Sequence, residues 1–202
     1  MSTQLEQLRI QAESCTKCDL ANSRTKVVFG VGDPNAELMV IGEAPGFYED
    51  QEGEPFVGKA GNLLTVLLGE IGLTRDEVYI ANVLKCRPPN NRDPKQFEID
   101  HCKPFLTAQL DEISPRVILS LGNFATRFLL ETDVGISHLR GHEFLYRDGV
   151  VIPTYHPSAV LRQSGLTLAE ARADFVLAKA ALSTSRGLGP GPFAQPTSEP
   201  LT

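Results

Sequence analysis

The chain has 202 residues, 42% of them hydrophobic and 22% charged, with a formal net charge of −6. That length supports one full-sized core, and the acidic balance excludes a protein that coats nucleic acid through bulk positive charge, though not one with a local basic patch. No run approaches the roughly 20 apolar residues of a membrane-spanning helix, and Met1–Glu6 lacks the basic and apolar regions of a signal peptide, so a cytoplasmic protein without membrane association is expected.

Residues 3–14 predict an amphipathic helix with Leu5, Leu8 and Ala12 on one side, running directly into Cys15-Thr16-Lys17-Cys18. Strands are predicted at 37–41, 77–84, 116–121 and 149–154, and helices at 59–71, 95–112, 123–131 and about 167–182. This alternation predicts an α/β three-layer sandwich, with a central, mostly parallel four-stranded sheet flanked by helices. Residues 1–182 are expected to form a single domain. Residues 183–202 are rich in Gly, Pro and Ser and are expected to be a disordered tail.

Sheets of this kind bind ligands beyond the carboxyl ends of their strands. The polar exits here are Gly42–Gly46, Asn82–Asn91, Gly122-Asn123 and His156-Pro157-Ser158. Gly122-Asn123 reads as a strand exit and helix N-cap, and the other three as candidate site segments. In the first of them, Gly42 and Gly46 let the backbone pass close to a bound group, and an acidic turn, Glu49-Asp50-Gln51-Glu52, follows.

Four cysteines stand at Cys15, Cys18, Cys86 and Cys102, with two residues between the first pair and fifteen between the last. In a reducing compartment metal ligation explains such a set better than disulfides. Tetrathiolate sites suit zinc or an iron–sulfur cluster. The wide second spacing is more comfortable around a [4Fe–4S] cube, with zinc and four plain buried thiols as alternatives. His101 is a second-choice ligand or a solvated helix histidine.

His156, at a strand exit and fixed by Pro157, is either a hydrogen-bond donor to charge developing on a substrate or a histidine bonded to backbone. Asn82 lies among apolar neighbours and either bonds the backbone or offers its amide to a ligand edge. Phe56, after Pro55, is a lid over the core or a stacking surface. Glu43 and Glu49 are acid/base candidates or ordinary loop carboxylates.

Taken together, Cys15-x-x-Cys18, Gly42-Glu43-Ala44-Pro45-Gly46 with Glu49-Asp50, Pro55-Phe56-Val57-Gly58-Lys59-Ala60-Gly61, Asn82 with Lys85-Cys86-Arg87-Pro88-Pro89, Cys102 and His156-Pro157-Ser158-Ala159-Val160-Leu161-Arg162 closely resemble the family 4 uracil-DNA glycosylases. The likeness runs from about Cys15 to Leu182. It implies a monomeric, monofunctional DNA N-glycosylase that hydrolyses the bond between uracil and deoxyribose, in single- or double-stranded DNA, and leaves an abasic site. The base must be flipped into a pocket for this. By the resemblance, Phe56 stacks on uracil, Asn82 reads its O4/N3 edge and His156 stabilises the leaving base near O2. Gly42 and Ala44 line the pocket, and Glu43 is the candidate for holding water or stabilising the sugar cation. Related enzymes carry an aspartate where this chain has Ala44 and a thymine-excluding tyrosine where it has Gly46, so Glu49 is the candidate for filling that space. Ser158, Val160, Leu161 and Arg162 correspond to the loop entering the minor groove, with Val160 or Leu161 as the wedge. Lys59, Lys85, Arg87 and Arg92 are phosphate candidates, and Cys15, Cys18, Cys86 and Cys102 hold a [4Fe–4S] cluster that shapes the DNA-facing loop. The alternative of a different class is a non-catalytic iron–sulfur DNA-binding module related to a phage DNA polymerase domain.

Overall fold

The computed structural model describes residues 3–163 and 165–184. In chain order the elements are α1 (Thr3–Glu13), α2 (Leu20–Ser23), β1 (Val31–Gly32), β2 (Leu38–Gly42), α3 (Phe47–Glu52), α4 (Lys59–Glu70), β3 (Tyr79–Asn82), α5 (Gln96–Ile113), β4 (Val117–Leu121), α6 (Gly122–Leu130), α7 (Ile136–Leu139), β5 (Phe144–Tyr146), β6 (Gly149–Thr154), α8 (Pro157–Arg162) and α9 (Gly165–Ser183), with short 3-10 turns at Arg75–Glu77 and Pro89–Asn91. The sheet order is β1-β3-β2-β4-β6-β5.

The four strands expected from sequence are the four parallel ones in the middle of the sheet. Two further strands make the sheet six-stranded: β1 and β5 pair antiparallel at the two edges. Neither is long enough to carry a period-2 signal. The β5–β6 hairpin turns on Arg147-Asp148, with Arg147 at φ +51, so the Asp148-Gly149 pair stands one residue past the two central positions where such a pair usually marks the turn. The acidic stretch expected as a turn is α3, and α8 occupies much of the segment expected as a loop. Helix α9 ends at Ser183, just inside the stretch expected as tail, and the remainder of that stretch from residue 185 lies outside the described residues.

Side chains alternate across the sheet. Met39, Ile41, Tyr79, Ala81, Ile118 and Val151 face a core shared with α1, α5 and α6. Leu38, Val40, Ile80, Val117, Leu119 and Ile152 face one shared with α4 and α9. Every residue of β2 and β4 is buried, which is why these strands read as near-continuous apolar runs, broken in β4 only by Ser120, whose hydroxyl is bonded to that of Thr126. The chain leaves β2 for β3 on one side and then crosses back to β4 on the other, so the crevice between the ends of β2 and β4 is the topological switch point. Among the described residues no helix is long and apolar enough to cross a membrane.

Candidate active site

A cleft opens at that switch point, lined from β2 by Glu43, Ala44 and Gly46, from β3 by Asn82, from the α4 approach by Phe56, and from β6 by His156. Its floor is built by exclusion. Phe56 is only 6% exposed and sits at φ +57, a left-handed conformation that costs a non-glycine residue strain. It is held there because α4 passes beneath it: a Cβ on Gly61 would stand 1.7 Å from the Phe56 carbonyl oxygen. A Cβ on Gly42 would meet Asn82 Oδ1 at 2.4 Å and the Phe56 ring at 2.5 Å, so glycine there keeps the amide and the ring side by side. The Asn82 Oδ1 is buried without a hydrogen-bond partner, the one such side-chain atom among the described residues. A buried acceptor left unanswered costs about 1–3 kcal/mol.

His156 faces the Phe56 ring at a centroid distance of 5.6 Å. The Ser158 backbone N–H donates to its Nδ1 at 3.2 Å, and Ser158 Oγ lies 2.8 Å from the same nitrogen. Because Nδ1 accepts, the neutral ring carries its proton on Nε2. Burial, and then the nearby Arg162 charge, push the His156 pKa down to about 4, so at neutral pH it is an uncharged donor. Gly122 makes room for it: at φ +84, it would bring an added Cβ within 3.1 Å of the His156 Cβ.

The two carboxylates differ. Burial, and then repulsion from Asp93, raise the Glu43 pKa to about 7. Glu49 Oε1 accepts from the N–H groups of Val57 and Gly58, at 3.1 and 3.2 Å, and so caps the approach to α4. Its other oxygen stands 2.6 Å from where a Gly46 Cβ would be, so Glu49 fills the space that glycine vacates.

The basic candidates separate on inspection. Lys59 and Arg162 are exposed on the cleft. Arg87 Nε donates to Asn91 Oδ1 at 2.7 Å. Arg92 lines the cleft but is paired with the buried Glu98, donating at 2.9 and 2.5 Å, which ties down much of its charge. Lys85 is corrected outright: it is 1% exposed and inside the fold, because its Nζ donates to the Asn82 carbonyl at 2.8 Å and to Gln109 Oε1 at 2.6 Å. Val160 also points inward, 5% exposed, because helical turns put neighbouring residues on different faces; Leu161, at 52%, is the apolar side chain left on the surface. Ser158 is spent on His156.

The four cysteines form no disulfide and line one cavity between α1, α2, the β3 exit and α5. Donors already point at their sulfurs: Arg24 Nη1 to Cys86 Sγ at 3.3 Å and the Lys85 backbone N–H to Cys102 Sγ at 3.2 Å. As bare thiols Cys86 and Cys102 resist ionisation. Burial raises the Cys86 pKa and pushes Cys102 to about 11. Four thiols with cationic and amide donors fit an anionic metal–sulfur group. They ring a cavity, and among the described residues no three His, Cys, Asp or Glu side chains converge to hold a single ion. His101 is exposed, its Nδ1 at 2.6 Å from the Phe97 carbonyl.

Sequence reasoning recognised Gly122-Asn123 as a strand exit but set it aside as a site segment. Gly122 and Asn123 line the cleft, and the expected N-cap role fails, since α6 has no side-chain cap. Asn123 Oδ1 instead accepts from the Ile136 N–H at the start of α7, at 2.9 Å. The glycine itself, standing directly at the exit of a buried strand, was the one available signal.

A flat aromatic floor, an amide with an unanswered acceptor and a neutral imidazole donor are the chemical complement of a planar ring with a polar edge. The family model described as the uracil DNA glycosylase superfamily matches residues 29–181. The chain is similar to the type-4 uracil-DNA glycosylase of Archaeoglobus fulgidus, at 51% identity over 73% of this chain and 78% of that protein. It is likewise similar to that of Sulfurisphaera tokodaii, at 47% over 80% and 78%, and to that of Thermotoga maritima, at 47% over 80% and 87%. The chain therefore belongs to the uracil-DNA glycosylase superfamily and, within it, to the type-4 enzymes.

Proposed function

We propose that this chain is a DNA N-glycosylase that removes uracil, hydrolysing its N-glycosidic bond to leave free uracil and an abasic site for base excision repair. The observation that carries this reading is the unpartnered Asn82 Oδ1, buried beside the Phe56 ring and beneath Gly42. Uracil N3–H answers that acceptor and uracil O4 takes the amide's N–H; cytosine presents the reverse pattern. A site that leaves its own polar groups unpaired with the wrong base discriminates strongly.

Phe56 stacks on the flipped base. As the C1′–N1 bond breaks, its electron pair passes to uracil, and His156 Nε2–H donates to O2, where charge accumulates. The sugar becomes oxocarbenium-like. Water attacks C1′ and loses its proton to the Glu43 carboxylate, which lines the cleft and whose pKa burial raises to about 7. Ala44 lines the wall without a carboxylate, and Glu49 excludes the thymine methyl from above Gly46. Lys59, Arg87 and Arg162 contact phosphates, and Leu161 is the wedge that takes the place of the flipped base in a duplex.

Cys15, Cys18, Cys86 and Cys102 hold a [4Fe–4S] cluster. Four thiolates lining one cavity, with Arg24 and the Lys85 N–H already donating to two of them, would suit the negative charge of such a cluster. Bound there, the group would supply structure and no step of the hydrolysis: Cys86 and Cys102 would pin the segment between them that carries Arg87 and Arg92. The unit is a single domain over 1–182, monomeric and cytoplasmic, and acts on single- or double-stranded DNA.

The test is incubation with a labelled oligonucleotide bearing one uracil, in excess EDTA, followed by alkali. Strand cleavage only after alkali and only at uracil is expected. Intact oligonucleotide after treatment with brown, cluster-loaded protein overturns the reading.

A further inference from the structure

Phe47 and Tyr48 open α3 directly after Gly46, on the rim of the cleft and in neither core. Phe47 is 49% exposed and Tyr48 61%, and their rings meet edge to face with centroids 5.4 Å apart. Tyr48 lies over Gly58, where an added Cβ would sit 3.5 Å from its ring. The Arg87 guanidinium covers the Phe47 ring at 5.0 Å, with its Nε anchored on Asn91. Lys59 and Arg162 are exposed cations on the same cleft. Two adjacent large aromatics left in water gain nothing for folding. Aromatic faces beside an ordered guanidinium and flanking cations are the composition that binds unpaired nucleotides, since every base has a face to stack and every phosphate a charge to match.

We propose that Phe47, Tyr48 and Arg87 form a stacking platform for the unpaired nucleotides adjoining the flipped uracil, so that the chain grips single-stranded DNA by base stacking. This rests on the reading of the cleft as a uracil pocket in DNA. In a duplex the neighbouring bases are stacked on each other and closed to the platform, and Leu161 fills the gap instead. On a single strand there is no gap to fill, and the exposed bases are free to lie on Phe47 and Tyr48.

The experiment uses the full, cluster-loaded chain and a Phe47→Leu/Tyr48→Leu variant, which keeps apolar bulk and removes the aromatic faces. Two quantities are read: kcat/KM on a uracil oligonucleotide alone and annealed to its complement, and affinity for a uracil-free single strand by fluorescence anisotropy. The variant should lose at least tenfold in affinity for the uracil-free strand. Its loss of kcat/KM on the single strand should exceed its loss on the duplex at least fivefold. Equal losses on both substrates, or unchanged single-strand affinity, overturn the proposal. Tyr48→Leu alone, at the more exposed position, should show part of the same preferential loss and replaces the double variant if that one does not fold. Should the wild type release no uracil from either substrate, the glycosylase reading fails while the uracil-free affinity still decides the platform.

Discussion

The Lys85 ammonium donates to the backbone carbonyl of Asn82 at 2.8 Å, while the Lys85 N–H reaches Cys102 Sγ at 3.2 Å. One fully buried residue thus ties the cysteine cavity to the backbone of Asn82, whose side chain lines the cleft. Gln109 extends the tie, accepting from Lys85 and donating to the Phe29 carbonyl and Tyr79 hydroxyl at 2.9 and 3.1 Å. Lys85→Met leaves the Asn82 carbonyl and Gln109 Oε1 unanswered, at about 1–3 kcal/mol each, offset in part by relief from burying an ammonium. A net loss of roughly 1–3 kcal/mol in urea unfolding is expected, together with about tenfold lower kcat/KM on uracil-DNA.

The pH dependence follows from Glu43. With its pKa raised to about 7, the carboxylate is the acting form above that pH and is lost as protons bind below it. The wild-type kcat/KM should rise about tenfold per pH unit up to about pH 7 and then level. His156, at about 4, stays neutral throughout that range and adds no limb of its own above pH 5. Glu43→Gln should be slower by roughly a hundredfold at pH 8 and flat across this limb, the usual size of a general-base contribution.

Asn82→Asp replaces a donor–acceptor pair by two acceptors. Uracil O4 then faces a carboxylate, whereas the cytosine amino group gains an acceptor. Uracil release should fall about a hundredfold in a single-turnover assay, with cytosine release becoming detectable beside it, since edge-read discrimination is worth several powers of ten.

Glu49→Ala opens the space over Gly46 and removes the acceptor for the Val57 and Gly58 N–H groups. Excision of thymine from a T·G oligonucleotide should become measurable. A variant that still ignores thymine shows that another group excludes the methyl.

How much of this was legible depends on what each residue has to satisfy locally. The runs Leu38–Gly42 and Val117–Leu121 are buried on both faces, so their strand character was written in near-continuous hydrophobicity, with Ser120 the one polar residue. Glu43, Asn82, Phe56 and His156 could be singled out because they lie at strand exits or in Gly/Pro loops, and they line one cleft; the roles given to them came from the family resemblance. Lys85 was misread because its burial depends on Gln109, twenty-four residues on, which no local pattern announces. Arg92 was half-read for the same reason: its partner Glu98 is buried in the first turn of α5. Val160 and Leu161 are both apolar, and only the turn of α8 decides which one meets solvent.

The sheet's two outermost strands are also its shortest, Val31–Gly32 and Phe144–Tyr146. A long bare edge is a template on which another chain can zip up, and short edges are one of the ways proteins avoid aggregating. Here each rim offers two or three residues before the chain turns away, and Gly30 and Gly32, at φ +139 and +127, break the extended line at one of them. The central strands stay sealed between neighbours. Heating or crowding should therefore have to open the interior before chains can join through their sheets, so that self-association follows unfolding and does not precede it.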